Sequence, residues 1–240
     1  MANKSNSKLD TLVENLRAAH GDNLASIVLY GSVAAGDHVA EHSDHNLLIA
    51  LNRIASKDLR LSQSALRDWL KSGQPPPVYF TVEELSRAAD VFPIEFLQME
   101  KARRVLYGRD PFEFVEISEA NLQHQTEYEL RTKLIQLRRL YIPASTSAEK
   151  LCALMSDSLA SFAALFRAVL ILHGQESPVS KADSVRATAR LLGLNEAPFE
   201  EILELRSKQR KTLTEAEANR VFSDYLSEIE RVIEAVDRIE

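Results

Sequence analysis

Two short segments in the first half of the chain hold the residues whose types and spacing could do chemistry. Gly31-Ser32 ends an apolar run at residues 26–30, and Asp44-His45-Asn46 leads into the apolar run Asn46–Leu51. Both runs are short, apolar and bounded by turn residues, which predicts two buried strands. Because side chains alternate along a strand, Asp44 and Asn46 are expected on the same side of the second one.

These residue types suit a nucleoside triphosphate. Gly31 would let the backbone approach a phosphate without a Cβ clash, and Ser32 offers a hydroxyl and an amide to phosphate oxygens. A helix expected after Ser32 would direct its positive end to the same place. Asp44 and Asn46 carry oxygen ligands of the kind that Mg²⁺ takes together with phosphates and water. The two segments therefore predict a triphosphate and magnesium site.

Simpler interpretations of the same residues stay open. A Gly-Ser pair is also an ordinary strand-ending turn, and Asp44 an ordinary exposed turn acid. A third interpretation starts from three histidines that lie near Asp44 in the sequence, and a cluster of this kind can bind a transition metal. Their spacing matches no common zinc pattern, and strand alternation turns the last of them away from Asp44. Solvated loop histidines are favoured for His38, His42 and His45.

The elements that must position these segments change in character along the chain. Up to about residue 115, strands alternate with helices, and the Thr81-Val82-Glu83-Glu84 capping box predicts that one helix starts there. Beyond that point the apolar spacing is helical throughout, and Trp69 and residues 92–96 are expected in the core. The further predicted strands are 78–80 and 104–107, and the predicted helices are 8–19, 57–71, 93–99, 118–143, 151–174, 181–192, 198–210 and 214 to the C-terminus. The sequence thus predicts an α+β fold with two domains, 1–115 and 116–240.

Composition narrows the class of protein. The 240 residues are 45% hydrophobic and 27% charged, which suits a folded core. The formal net charge is −6 and neither half is basic, so no nucleic-acid partner is expected. The single cysteine, Cys152, excludes an intrachain disulfide. The polar N-terminus and the lack of an uninterrupted apolar run of about 18 residues predict no membrane association and a cytoplasmic location.

Residues 25–51 resemble the signature of the DNA polymerase β-like nucleotidyltransferase superfamily: Gly-Ser, a short helix, then Asp-x-Asp on a strand. The helical second half is similar in class to that of the minimal and aminoglycoside-modifying nucleotidyltransferases. The resemblance implies a mixed sheet with helices, followed by a helical bundle. It also implies Mg²⁺-dependent transfer of a nucleoside monophosphate from an NTP to a hydroxyl of a small-molecule or protein acceptor. Gly31 and Ser32 would bind phosphate, and Asp44 would bind the metal with help from Asn46.

The chain departs from that signature in three places. Asn46 stands where the family has its second carboxylate, and the predicted strand at 78–80 carries no third one, which leaves Asp90 or Glu95 to reach in. The usual basic residue after Gly-Ser is missing, since Ala35 precedes Gly36. An asparagine offers a neutral oxygen and cannot bridge two cations. A catalytically inactive homologue that binds a nucleotide or a protein is therefore the alternative.

The helical half supplies further candidates on one stripe of its first helix: Glu127, Arg131 and Arg138. They could form a solvated salt-bridge face. By the resemblance, this stripe would instead face a cleft, with Glu127 as catalytic base and Arg131 or Arg138 on the phosphates. Glu127 is preferred to Glu129, which lies about 200° further round the helix.

Two further features of the sequence leave alternatives open. Arg103 and Arg104 precede the predicted strand 104–107, where they would either reach a triphosphate or be flanking surface charges. The apolar C-terminal helix would serve equally well as a homodimer surface or as part of the bundle.

Overall fold

A computed structural model describes residues 2–31, 33–34, 45–113, 115–178, 180–207 and 213–239, without the side chains of residues 2–7 and Lys101. Within these residues the chain forms ten α-helices and four β-strands. It divides into two compact units, Met1–Ser118 and Glu119–Glu240, called here the N-terminal and C-terminal units. The strands all belong to the N-terminal unit, so the predicted α+β class with an all-helical second part is confirmed.

The N-terminal unit is built on one mixed sheet. Its four strands are β1 (Leu24–Tyr30), β2 (Asn46–Leu51), β3 (Val78–Thr81) and β4 (Arg103–Gly108). They lie in the order β3-β2-β1-β4, in which β1 runs antiparallel to β2 and β4 while β2 and β3 run parallel. A short 3-10 turn, Gly21–Asn23, leads into β1. The elements in chain order are α1 (Ala2–His20), β1 (Leu24–Tyr30), β2 (Asn46–Leu51), α2 (Ser56–Ala65), α3 (Arg67–Lys71), β3 (Val78–Thr81), α4 (Val82–Ala88), α5 (Pro93–Lys101) and β4 (Arg103–Gly108).

The two faces of this sheet bury different residues, because successive side chains point to opposite sides. One face packs on α1, α2 and α3, and the other on α4 and α5. The first core cluster includes Leu16, Ile27, Leu29, Leu47, Ile49, Leu51 and Trp69. The second includes Val28, Leu48, Ala50, Leu85, Phe96 and Phe112. Both β1 and β2 are buried on two faces, which explains why they are continuous apolar runs in the sequence.

Local sequence signals account for several element boundaries. The Thr81 hydroxyl accepts a hydrogen bond from the Glu84 amide at 3.0 Å, so α4 starts at the predicted capping box. The predicted helix 57–71 is divided at Leu66, where φ is −90° and ψ is −1°, and α3 begins at the next residue. This break buries Leu66 and Trp69. Phe92, just before α5, was expected in the core but is 43% exposed, whereas Ile94 and Phe96 within α5 are buried.

The C-terminal unit is helical: α6 (Glu119–Ala144), α7 (Ala148–Leu172), α8 (Lys181–Leu191), α9 (Ala197–Arg206) and α10 (Glu215–Asp237). Helix α7 is apolar on most sides and contacts the other four. Edge-to-face rings of Phe162, Phe166, Phe199 and Tyr225 fill its surroundings. Thr214 caps α10 as its sequence predicts. Helix α6 continues one residue past Pro143, which was expected to end it.

One helix among the described residues, α7, is long and apolar enough to cross a membrane by length and composition alone. Half of its most apolar window is buried inside the protein. The central helix of a bundle passes the same test, so this feature is weak evidence for a membrane span.

Candidate functional site

Three strand ends meet at Gly31. Tyr30, the last residue of β1, pairs with Asn46 on β2 and with Arg103 on β4. Directly after it, the Gly31 amide donates a hydrogen bond of 2.9 Å to the carbonyl of Ala102. The antiparallel pairing thus places the end of β1 beside the first residues of both neighbours. We call this place the Gly31 corner: Tyr30, Gly31, Asn46, Ala102 and Arg103.

The backbone conformation at this corner and a close neighbour both favour glycine. Gly31 has φ of +85°, a conformation that other residues adopt only with strain. A Cβ built on it would lie 3.1 Å from Nδ2 of Asn46, which is tighter than an ordinary contact. The Asn46 amide therefore packs directly against the glycine backbone. Ser32 and Asp44, the two other predicted members of the site, lie outside the described residues.

Asn46 shares a sheet face with the second core cluster. Alternation along β2 places it with Leu48 and Ala50, on the side of α4 and α5. His45, one position earlier, is on the opposite face, where its ring meets the edge of Trp69 at 5.9 Å between centroids. Its amide donates to Oε1 of Gln74 at 2.8 Å. His45 thus points to the side of the sheet opposite to Asn46, while its orientation relative to Asp44 stays a prediction, because Asp44 lies outside the described residues.

Arg103 belongs to the Gly31 corner, although nothing in the sequence distinguished it from a flanking surface charge. Residues paired across antiparallel strands share a face, so Arg103, Tyr30 and Asn46 lie side by side. Asp110 holds the Arg103 guanidinium at 2.8 Å, and Phe112 lies under it at 5.5 Å from the ring centroid. The pairing of β4 with β1 determines the position of Arg103, and the residues around Arg103 in the sequence do not predict that pairing.

Strand β3, where a third metal-binding carboxylate was looked for in the sequence, carries none. Strand β3 pairs with β2 so that Val78 lies opposite Leu48, and none of its four residues is acidic. The two alternative acids, Asp90 and Glu95, are exposed, in the segment after α4 and in the first turn of α5. Within the described part of the chain, no group of three or more His, Cys, Asp or Glu side chains is placed to hold a metal ion.

The candidates on α6 are engaged in ion pairs inside the C-terminal unit. Nε of Arg131 contacts Oε1 of Glu127 at 2.6 Å, and its Nη2 lies 3.5 Å from Asp237. Arg138 contacts Glu230 on α10 at 2.6 Å. Hydrogen bonding to Glu127 raises the pKa of Arg131. These contacts match the salt-bridge interpretation of the stripe, while its part in catalysis stays a prediction.

The chain is similar in structure to spectinomycin adenyltransferase AAD(9) from Enterococcus faecialis, solved with ATP and spectinomycin. The TM-score is 0.57 at 13% sequence identity, and the match covers 94% of this chain and 98% of that one. The protein has a nucleotidyltransferase-like fold. At this identity the likeness shows the fold alone. No family model matches the chain, and no curated protein matches it in sequence.

Proposed function

We propose that the protein is a nucleotidyltransferase that moves a nucleoside monophosphate from an NTP to a hydroxyl group of a small molecule. The observation that supports this is the contact between Gly31 and Asn46 at the meeting point of three strands. It brings Gly31 next to Asn46, the predicted metal ligand that lies among the described residues. The AAD(9) structure contains ATP and spectinomycin, which makes ATP the first nucleotide to test and spectinomycin the first acceptor.

The turn after β1 restricts which amides would bind phosphate. The Gly31 amide is already bonded to Ala102, and the Ala34 amide donates to the Gly31 carbonyl at 3.0 Å. The amides of Ser32 and Val33 and the Ser32 hydroxyl are then the donors proposed for the triphosphate. Gly31 would contribute by leaving space, because a side chain there would displace the Asn46 amide.

The donor set suits one magnesium ion better than two. Mg²⁺ is commonly held by one or two protein carboxylates together with phosphates and waters. Asp44 would supply one carboxylate, and Asn46, at the Gly31 corner, a neutral oxygen. No carboxylate on β3 is available to hold a second ion. When bound, the ion would neutralise charge that builds up on the phosphates during transfer. The side-chain oxygen of Asn46 would be a neutral ligand of the ion, and the Asp44 carboxylate would be its negatively charged protein ligand.

The C-terminal unit would supply the remaining groups of the proposal. Glu127 is the candidate base for the acceptor hydroxyl, and Arg131 and Arg138 are the candidate phosphate ligands. Each of these side chains forms an ion pair within the C-terminal unit: Arg131 pairs with Glu127, and Arg138 pairs with Glu230. Catalysis would therefore require Arg131 to exchange the Glu127 carboxylate for phosphate, which frees that carboxylate to accept a proton.

A second candidate function is favoured by the neutral side chain of Asn46. With one carboxylate fewer, the site would hold metal weakly, and the protein would act as an inactive homologue that binds a nucleotide or a protein. The two candidates differ in how binding depends on metal. The transferase requires Mg²⁺ for productive triphosphate binding, whereas the binding module depends on amide and hydroxyl donors alone.

Calorimetric titration of ATP with and without Mg²⁺ separates the two. The transferase predicts Mg²⁺-dependent binding that Asp44→Ala abolishes and Asn46→Asp strengthens. Asp22→Ala is the matched control, since this exposed acid lies before β1, at its other end. Pyrophosphate release with spectinomycin and other polyhydroxylated acceptors then tests the transfer itself. Metal-independent binding in every variant would support the binding module, and the absence of nucleotide binding in every variant would leave only a protein-binding role.

A further inference from the structure

Arg103 carries the one charged side chain of the Gly31 corner. It begins β4 directly opposite Tyr30, the last residue of β1. Because residues paired across antiparallel strands share a face, Arg103 lies on the side of the sheet that also carries Asn46. Its contact with Phe112, which belongs to the core cluster on that side, agrees with this placement. A permanent cation thus lies at the corner proposed to bind nucleotide.

The guanidinium of Arg103 is held in place by its neighbours. Its Nε donates a hydrogen bond of 2.8 Å to Oδ2 of Asp110, and its Nη1 donates one of 2.6 Å to the carbonyl of Glu100. The other carboxylate oxygen of Asp110 accepts a hydrogen bond of 3.0 Å from the Phe112 amide, which fixes the carboxylate in turn. An arginine whose conformation is already set loses little conformational entropy when a ligand binds.

Nη2 of Arg103 remains for a ligand. Within the part of the chain that the structure describes, Nη2 makes no hydrogen bond or ion pair, although Nε and Nη1 both do. The side chain is 21% exposed, so it is accessible to a ligand from solvent. Guanidinium N–H groups match phosphate oxygens in geometry and form charge-assisted hydrogen bonds with them. The free N–H groups therefore suit a phosphate.

The proposed nucleotide site has no permanent cation on its two central strands. Residues 24–51, which include β1, β2 and the link between them, contain no lysine or arginine. The donor set also suits a single Mg²⁺, because Asn46 is neutral. A triphosphate with one such ion keeps a net negative charge, and sites that transfer phosphoryl groups offset this charge with arginine, lysine or metal. The neighbouring strand β4 brings such a cation to the Gly31 corner.

We propose that Arg103 is a phosphate-binding residue of the nucleotide site, which contacts the triphosphate through Nη2 while Asp110 holds the guanidinium in position. It supplies the positive charge that residues 24–51 lack and acts together with the single Mg²⁺. The inference rests on the proposed function, because it assigns one more residue to the same site. It requires nucleotide binding alone and holds equally for a transferase and for a nucleotide-binding module.

Calorimetric titration of ATP with Mg²⁺, and of inorganic tripolyphosphate, tests the contact. Arg103→Gln is expected to weaken the binding of both ligands by about tenfold or more, because a charge-assisted hydrogen bond is lost. Arg103→Lys keeps the charge without the planar fork and should give an intermediate affinity. Circular dichroism and urea unfolding check that each variant stays folded.

Arg104→Gln is the matched control. It removes the same charge one residue further along β4, where the exposed side chain alternates to the other face of the sheet, opposite Leu29. Within the described residues, the Arg104 side chain has no ion pair. Because an exposed charge outside the site is screened by salt, this variant should change either affinity by less than about twofold.

The outcomes separate this inference from the proposed function. Equal ATP affinities of Arg103→Gln and Arg104→Gln would overturn the inference and leave the proposed function standing. A loss for ATP without a loss for tripolyphosphate would also overturn it, since the effect would then not be on phosphate. Arg103-dependent binding of both ligands without pyrophosphate release would support the inference and favour the binding module over the transferase. A wild type that binds neither ligand would overturn the inference together with nucleotide binding itself.

Discussion

Gly31, directly after β1, and Asn46, the first residue of β2, pack so closely that a carbon added to the glycine would crowd the asparagine amide. That carbon, a Cβ on Gly31, would lie 3.1 Å from Nδ2 of Asn46. The glycine backbone thus packs against Asn46, one of the two predicted metal ligands. If Asn46 is a metal ligand as proposed, this packing would help to hold its side chain in place before the metal binds.

Gly31→Ala is expected to lower the free energy of unfolding by about 2 kcal/mol, from backbone strain together with the Asn46 contact. Gly73→Ala is a close control, because Gly73 has φ of +82° and a Cβ added there would meet nothing within 4 Å. It should cost about 1 kcal/mol from strain alone. Urea unfolding of both variants measures the difference, and equal losses would show that the Asn46 amide gives way without cost.

Gly108→Ala is expected to be the most damaging glycine substitution in the sheet. Its Cβ would lie 1.9 Å from the carbonyl oxygen of Ala25, so the backbones of β4 and β1 would have to separate. We expect a loss of about 3 kcal/mol or more, or failure to fold, since backbone cannot move aside as a side chain can. Soluble yield and urea unfolding report this, again beside Gly73→Ala. A loss no larger than that control would contradict the described pairing.

Arg138→Ala and Glu230→Ala separate the two interpretations of the α6 candidates. The Arg138–Glu230 pair is about half exposed, so either substitution should change stability by no more than about 0.5 kcal/mol. If Arg138 holds phosphate, its loss should weaken ATP binding about tenfold, whereas Glu230→Ala leaves the arginine free to bind. Calorimetry on both variants decides. Equal ATP affinities would leave Arg138 as part of a surface ion pair.

Much of the scaffold follows from local sequence, and much of the site does not. The sequence predicts strands β1 and β2 and the helix caps at Thr81 and Thr214. These features can be predicted because strand burial and capping depend on residues that are close in the sequence. The corner position of Arg103 depends on the pairing of β4 with β1, more than 70 residues away. Local periodicity holds no information on such a pairing, so Arg103 could be seen in the sequence but not placed.

His20 should make the N-terminal unit less stable in mild acid. Burial lowers the pKa of its imidazole, with the Asp58 carboxylate opposing the shift, and Nε2 lies 2.9 Å from the Ser62 hydroxyl. The unfolded chain takes up a proton near the ordinary value of 6.5 while the folded chain resists it, so stability is lost as pH falls below that value. The slope from one such group is at most about 1.4 kcal/mol per pH unit.

The measurement is the free energy of unfolding at about pH 7.5 and about pH 5.5, for wild type and His20→Gln. The wild type should lose more stability than the variant over this interval, because the variant keeps a hydrogen-bonding side chain but has no proton to gain. Groups common to both proteins cancel in the comparison. If the two lose the same amount, the His20 imidazole gains its proton in the folded state as readily as in the unfolded chain, and the buried contact with Ser62 must then tolerate the charge.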